Sequence, residues 1–248
     1  MNINKETFTS EDAYVARDNE IKKSTKEYLD NCVDYILMHK GTKHPFLLSY
    51  ADKGLSNDKS KILYLETLGY FSYLPFYVAG IAQLTRDEAV LRSIGFNVMD
   101  ELGKKTSHTE MYYNFLVKKG ITEKEIKEYR CSPSTKALNN GIRSLYNTLP
   151  LETALGALFA DETMSAYMVE QYNNGLIKEG VSKKDRFFWE LHMKVEVGHS
   201  NAVFNVMSPY LDSNNGKEKF DEGIEQYMYL MNQYWNGIEK LIEGLSND

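Results

Sequence analysis

Apolar residues recur at three- and four-residue spacing through almost the whole chain, which is the period of an amphipathic helix, and no stretch alternates as a strand would. A first helix is expected within 11–38, where Ile21, Tyr28, Cys32, Tyr35 and Ile36 mark one face. The KGTKHPF segment then interrupts the pattern. SNDKS at 56–60 offers N-caps for a second helix to about residue 84, with Pro75 expected to kink it. Thr85 caps a third, TRDEAVLRSIGFNVMDELGKKTSHTEMYYNFLVKKG, which ends at Gly120. SPST at 132–135 opens a fourth and LPLETALG at 149–156 a fifth, with Pro150 in the first turn, where its missing N–H is no loss. Gly180 and Ser182 separate the fifth from a sixth that stops near Pro209, and 217–243 forms the last. Seven helices with short connections, no linker and no repeat of solenoid period predict an all-α, single-domain bundle over 11–244, preceded by a flexible tail at 1–10.

Composition narrows the function more than the fold. The 248 residues are 42% hydrophobic and 26% charged, ordinary for a soluble globular protein with a substantial core. A net charge of -6 without any Lys/Arg block argues against a nucleic-acid partner. Cys32 and Cys131 are far apart, so neither a disulfide framework nor a zinc ribbon is indicated, and such sparse use suits a reducing compartment. The polar, acidic start MNINKETFTSEDAY is no secretory h-region, and the longest apolar run, YFSYLPFYVAGIAQL, is too short and broken to span a bilayer. The expectation is a cytoplasmic protein with no membrane partner.

The candidate chemistry centres on WELHMKVEVGH at 189–199. Each helical residue advances by about 100°, so His192, Glu196 and His199 form one stripe, among apolar neighbours that turn it inward. Buried imidazoles and carboxylates need partners, and a metal would satisfy all three at once. On the predicted third helix Glu101 and His108 stand seven apart, and Glu162 sits on an otherwise apolar stripe, ALGALFADETMSAYM. A lone inward His or Glu is more often a hydrogen-bonded core residue, but three histidines and three carboxylates on three helices favour a metal. Such mixed N/O sets suit iron or manganese, and carboxylates can bridge two ions, whereas catalytic zinc usually takes three protein ligands. Asp100 and Asp161 each lie one position from a chosen Glu, and one of them could face the site in its place.

These residues resemble the haem-oxygenase-like diiron oxidase and oxygenase superfamily, especially its chlamydial CADD-like members, within a wider group of TenA- and PqqC-like proteins. The family motif is a Glu seven before a His, a Glu on a later helix, then H-x3-D/E-x2-H. MDELGKKTSH, ALFADE and HMKVEVGH match it in order, with looser similarity over about 39–207. The resemblance implies a seven-helix bundle and two Fe(2+) per chain held by Glu101, His108, Glu162, His192, Glu196 and His199. It also implies O2-dependent oxidation of an amino-acid- or fatty-acid-like metabolite by N-oxygenation, desaturation or C–C cleavage. One departure is informative: chlamydial-type members carry a tyrosine before the lone Glu and sacrifice their own side chains to make p-aminobenzoate, whereas here that position is Asp161.

The substrate is expected against the second helix, where Tyr70, Tyr73 and Tyr77 stand at helical spacing, with Phe159 and Asp161 as further contacts; core packing is the simpler reading of the tyrosine stripe. A small-molecule substrate, O2 and an external electron donor are the expected partners, and the aromatic 220–235 face is either a homodimer seam or core. The competing readings are a cofactorless oxidase, a TenA-like hydrolase and a non-enzymatic partner-binding bundle. The hydrolase needs an active cysteine, and Cys131, in a loop before a helix cap, fits that poorly.

Overall fold

The computed structural model describes residues 22–148 and 150–245, apart from the side chains of 194–205. The expected tail, 1–10, and residues 11–21 of the expected first helix lie outside the described residues. The chain runs α1 (Lys23–Met38), α2 (Pro45–Lys53), α3 (Asn57–Phe71), α4 (Leu74–Ile81), a 3-10 turn (Ala82–Leu84), α5 (Glu88–Leu102), α6 (His108–Lys118), α7 (Glu123–Glu128), α8 (Pro133–Asn147), α9 (Leu151–Lys178), α10 (Phe187–Leu211) and α11 (Gly216–Gly244). No strand occurs among the described residues. No helix there is long and apolar enough to cross a membrane.

The first half of α9, LETALGALFADE, is apolar on nearly every side, so it must be surrounded. It is the axis of the bundle, packed by α11, α10, α2 and α8. α11 presents Phe220, Ile224, Tyr227, Met231, Tyr234 and Ile238 at three- and four-residue intervals as one buried stripe towards it. Where the two cross, backbone meets backbone: a Cβ on Gly156 would lie 2.1 Å from the Phe220 carbonyl oxygen, and one on Gly223 would lie 2.1 Å from that of Thr153. The aromatic 220–235 stripe is therefore core.

The all-α prediction holds, but the described residues contain eleven α-helices rather than seven. The expected second helix is not merely kinked at Pro75; it is divided into α3 and α4, with Pro75 in the first turn of α4. The expected third helix is divided too. Gly103 ends α5 at a φ of 60°, and the Ser107 side chain caps α6 by accepting from the Glu110 N–H at 3.1 Å. Two short helices were not expected. Pro45 starts α2 beneath a His44 Nδ1 cap on the Phe46 N–H, and Thr122 with Glu125 forms a capping box on α7. The later helices begin and end close to the expected residues.

Candidate metal centre

α5 carries Glu101 in its last turn and α6 opens with His108; the intervening turn folds the imidazole back beneath the carboxylate. His108 Nδ1 lies 3.1 Å from Glu101 Oε1. α10 supplies His192 from across the bundle, its Nε2 3.1 Å from the same His108 Nδ1. The His192 Nδ1 faces the Phe188 carbonyl at 2.7 Å. A carbonyl only accepts, so the proton sits on Nδ1 and the lone pair on Nε2 points into the site. Phe188 and Phe71 flank the His192 ring, with centroids at 4.0 and 5.9 Å. Glu101, His108 and His192 are 9%, 4% and 2% exposed. One donor atom from each lies within 4.8 Å of the other two, close enough for a single ion to hold all three.

The donor set fits such an ion. Glu101 Oε2 is buried with no hydrogen-bond partner. An orphaned carboxylate oxygen costs about 1–3 kcal/mol. A divalent cation among these atoms would satisfy it and replace the proton now shared between His108 and its neighbours. Two imidazoles and a carboxylate are donors that iron accepts.

Glu162, from the axial helix, lines the same cavity as Glu101 and His192. Its Oε1 accepts a hydrogen bond from Asn97 Nδ2. Asn97 stands one turn before Glu101 on α5, a position that helical spacing from Glu101 could have flagged. The cavity holds about 60 Å3 and is otherwise walled mainly by Phe71, Leu74, Val78, Met168, Phe188 and Trp189. The backbone of α10 continues through Glu196 and His199, one and two turns beyond His192, but their side chains lie outside the described ones.

The neighbouring aspartates are placed differently from one another. Asp100 is half-buried and does not line the cavity. Asp161 does line it, held in a cage of three tyrosines: Tyr146 donates to Oδ2 at 2.8 Å, and Tyr70 (3.3 Å) and Tyr227 donate to Oδ1. Burial pushes the Asp161 carboxyl up to about 7; the Glu162 charge adds to this and the three tyrosine hydrogen bonds oppose it. Tyr146 and Tyr227 carry no sequence feature that separates them from other core tyrosines.

The expected tyrosine stripe does not survive the division of its helix. Tyr70 lines the cavity, while Tyr73 is 50% exposed and Tyr77 half-buried, the two stacked on each other with centroids 6.0 Å apart outside the lining. Phe159 is buried against Phe220, with centroids at 5.5 Å, and also lies outside the lining. Cys131 is half-buried in the loop before α8 and away from the cavity.

Comparison with known proteins identifies the family. Residues 74–231 match a family of iron-containing redox enzymes. The chain is 43% identical over 217 residues to a 4-chloro-allylglycine synthase from Streptantibioticus cattleyicolor, covering 88% of this chain and 84% of that protein. It is 21% identical to a 4-aminobenzoate synthase from Chlamydia pneumoniae, over 81% of this chain and 88% of that one. Among solved structures, a CADD-like protein from Nostoc punctiforme superposes with a TM-score of 0.76 at 15% identity, covering 89% and 99% of the two chains. A protein of haem-oxygenase-like fold from Shewanella denitrificans gives 0.74 at 16%, covering 92% and 97%. The fold is therefore haem-oxygenase-like, and the chain belongs to the family of iron-containing redox enzymes.

Proposed function

We propose that this enzyme is an O2-dependent, non-haem diiron oxidoreductase acting on a small amino-acid-like molecule. Glu101, His108, Glu162, His192, Glu196 and His199 are its proposed ligands. The observation that carries the reading is the convergence of Glu101, His108 and His192 from three helices to within 4.8 Å of one another, with the second oxygen of the Glu101 carboxylate buried and without a donor. The names of the two synthases, one for an allylglycine and one for an aminobenzoate, support an amino-acid-like substrate.

Bound iron would supply O2 binding and the electrons to activate it. The chain's own residues do the rest. Phe188 fixes the tautomer of His192 through its carbonyl, and Asn97 holds one oxygen of Glu162 in place. The aromatic and aliphatic walls offer water few hydrogen-bond partners. Asp161, occupied by three tyrosines, anchors the wall behind Glu162.

The test is anaerobic loading with ferrous iron, iron quantitation, and O2 consumption with candidate amino acids and fatty acids. About two irons per chain and substrate-dependent O2 uptake are expected. A chain that takes up no iron, or whose Glu162→Ala and His199→Ala variants take up as much as the parent, overturns the reading. The cofactorless or partner-binding alternatives then stand.

A further inference from the structure

Trp189, one turn before His192 on α10, lines the cavity and is 3% exposed. Its ring lies flat on that of Tyr172, with centroids 4.1 Å apart and 12° between the planes. The Tyr172 ring in turn meets that of Tyr64, at 6.4 Å and 36°. The Tyr64 hydroxyl donates to the carboxylate of Glu179, a half-buried residue at the C-terminal end of α9, and the Lys119 ammonium sits 5.9 Å over the Tyr64 ring. Three oxidisable rings thus run in contact from the cavity to one side chain below the surface.

We infer that the column Trp189–Tyr172–Tyr64 is an electron conduit ending at Tyr64, beside its proton acceptor Glu179, by which an oxidising equivalent formed in the cavity without substrate leaves the site. The inference rests on the reading that iron and O2 react there.

The hydrogen bonding along the column sets its direction. The buried Trp189 Nε1–H has no partner, so an oxidised indole has no base to take its proton and passes the charge on. The Tyr172 hydroxyl pairs with those of Thr67, at 3.1 Å, and Tyr112, and a hydroxyl is no base either. Tyr64 alone in the column meets a carboxylate. There the loss of an electron and of a proton can coincide: the electron would pass through Tyr172 and Trp189 to the oxidising centre in the cavity, and the proton would cross the existing hydrogen bond to Glu179. A one-electron reductant at the surface, such as ascorbate, then restores the phenol as Glu179 returns the proton. Burial and the Glu179 charge raise the Tyr64 pKa, so the phenol waits protonated. Trp189 also meets Tyr112, at 5.5 Å, whose hydroxyl donates to the Tyr64 backbone carbonyl at 3.1 Å and faces no base. A further path from the cavity, Tyr70 to Tyr234 at 5.9 Å and on to Trp235 at 4.8 Å, ends on a buried indole whose Nε1–H has no partner. It offers no outlet.

The test has an iron-free arm and an iron-loaded arm. Trp189 and Trp235 are the chain's two tryptophans, so Trp235→Phe leaves Trp189 as the sole indole. Flash photolysis of that metal-free protein should turn a tryptophanyl radical into a tyrosyl radical. Adding Tyr172→Phe, which keeps the ring stack, should abolish the tyrosyl signal and leave the tryptophanyl radical long-lived, and Glu179→Gln should slow the conversion. Circular dichroism and melting confirm that each variant folds, and the Tyr172→Phe comparison is repeated with Trp235 in place. An unchanged tyrosyl yield in Tyr172→Phe overturns the conduit. In the second arm, the ferrous protein is mixed with O2 without substrate and frozen for EPR. A tyrosyl signal that disappears in Tyr64→Phe supports the role, and its absence from the parent overturns it. A protein that takes up no iron overturns the proposed function and the protective role together, while the metal-free arm still decides whether the column conducts.

Discussion

His192 is the residue on which packing and chemistry are easiest to separate. Its ring is held by Phe71 and Phe188 as any aromatic would be, while its Nε2 faces His108 and Glu101. His192→Phe keeps the ring contacts but adds volume and removes the hydrogen bonds to the Phe188 carbonyl and to His108, so stability should fall by about 1–3 kcal/mol. Iron content should nevertheless fall sharply, as metal analysis after anaerobic loading would register; undiminished iron removes His192 from the ligand set. Asp161 makes the opposite case, a carboxylate whose partners are all protein. Asp161→Ala leaves Tyr146 without its acceptor and Tyr70 and Tyr227 with only each other, 3.0 Å apart, so that two buried hydroxyls lose their acceptor at about 1–3 kcal/mol each. A net loss of about 3–5 kcal/mol is expected by denaturant titration. Asp161→Asn, which keeps an acceptor oxygen, should lose less than half of that. Equal losses would mean that the cage needs the charge and not the hydrogen bonds.

At the scale of elements, the turn between α5 and α6 decides whether Glu101 and His108 meet. The sequence reading kept the two on one unbroken helix, two turns apart. The chain instead stops at Gly103 and restarts at Ser107, and the imidazole swings back to within 3.1 Å of the carboxylate. The signs were legible: a glycine, a polar run, then Ser107 three residues before Glu110 is a stop followed by a start. The seven-residue spacing brings the two together by a turn rather than along one helical face. Gly103→Ala tests the turn. Its backbone is left-handed, at a φ of 60°, and a Cβ would come 2.3 Å from the Thr106 carbonyl oxygen. Relieving even about 1.4 kcal/mol of that strain by opening the turn would cost about tenfold in iron affinity. A competition titration against a chelator measures this, and unchanged affinity would show that the turn does not set the site. The second helix erred likewise, because a tyrosine stripe counted across Ser72 and Tyr73 assumes a helix that ends there.

At the scale of the molecule, the proposed donors come from α5, α6, α9 and α10, elements distant in sequence, so iron would bind only when the bundle is assembled. Ferrous iron at 100 times its dissociation constant should therefore stabilise the fold by about 2.7 kcal/mol for one ion. For a domain of this size that is a rise in Tm of roughly 5–11 °C. Anaerobic melting with and without iron measures it, and a chelator should reverse it. An unshifted Tm would mean that metal binds the unfolded chain as well as the folded one, or not at all.

What the sequence determined by itself was whatever depends on local periodicity and residue type: an all-α chain, helix ends at Gly180 and Ser132, an apolar stripe around Glu162, and a set of histidines and carboxylates at helical spacing. The tertiary structure decided what depends on crossings and breaks. It decided that Glu101 and His108 meet across a turn, that Asn97 serves Glu162, and that Asp161 belongs to Tyr70, Tyr146 and Tyr227. The physical reason is that a hydrogen bond's energy is settled within about 3 Å. No spacing along the chain says which side chains of four different helices will be that close.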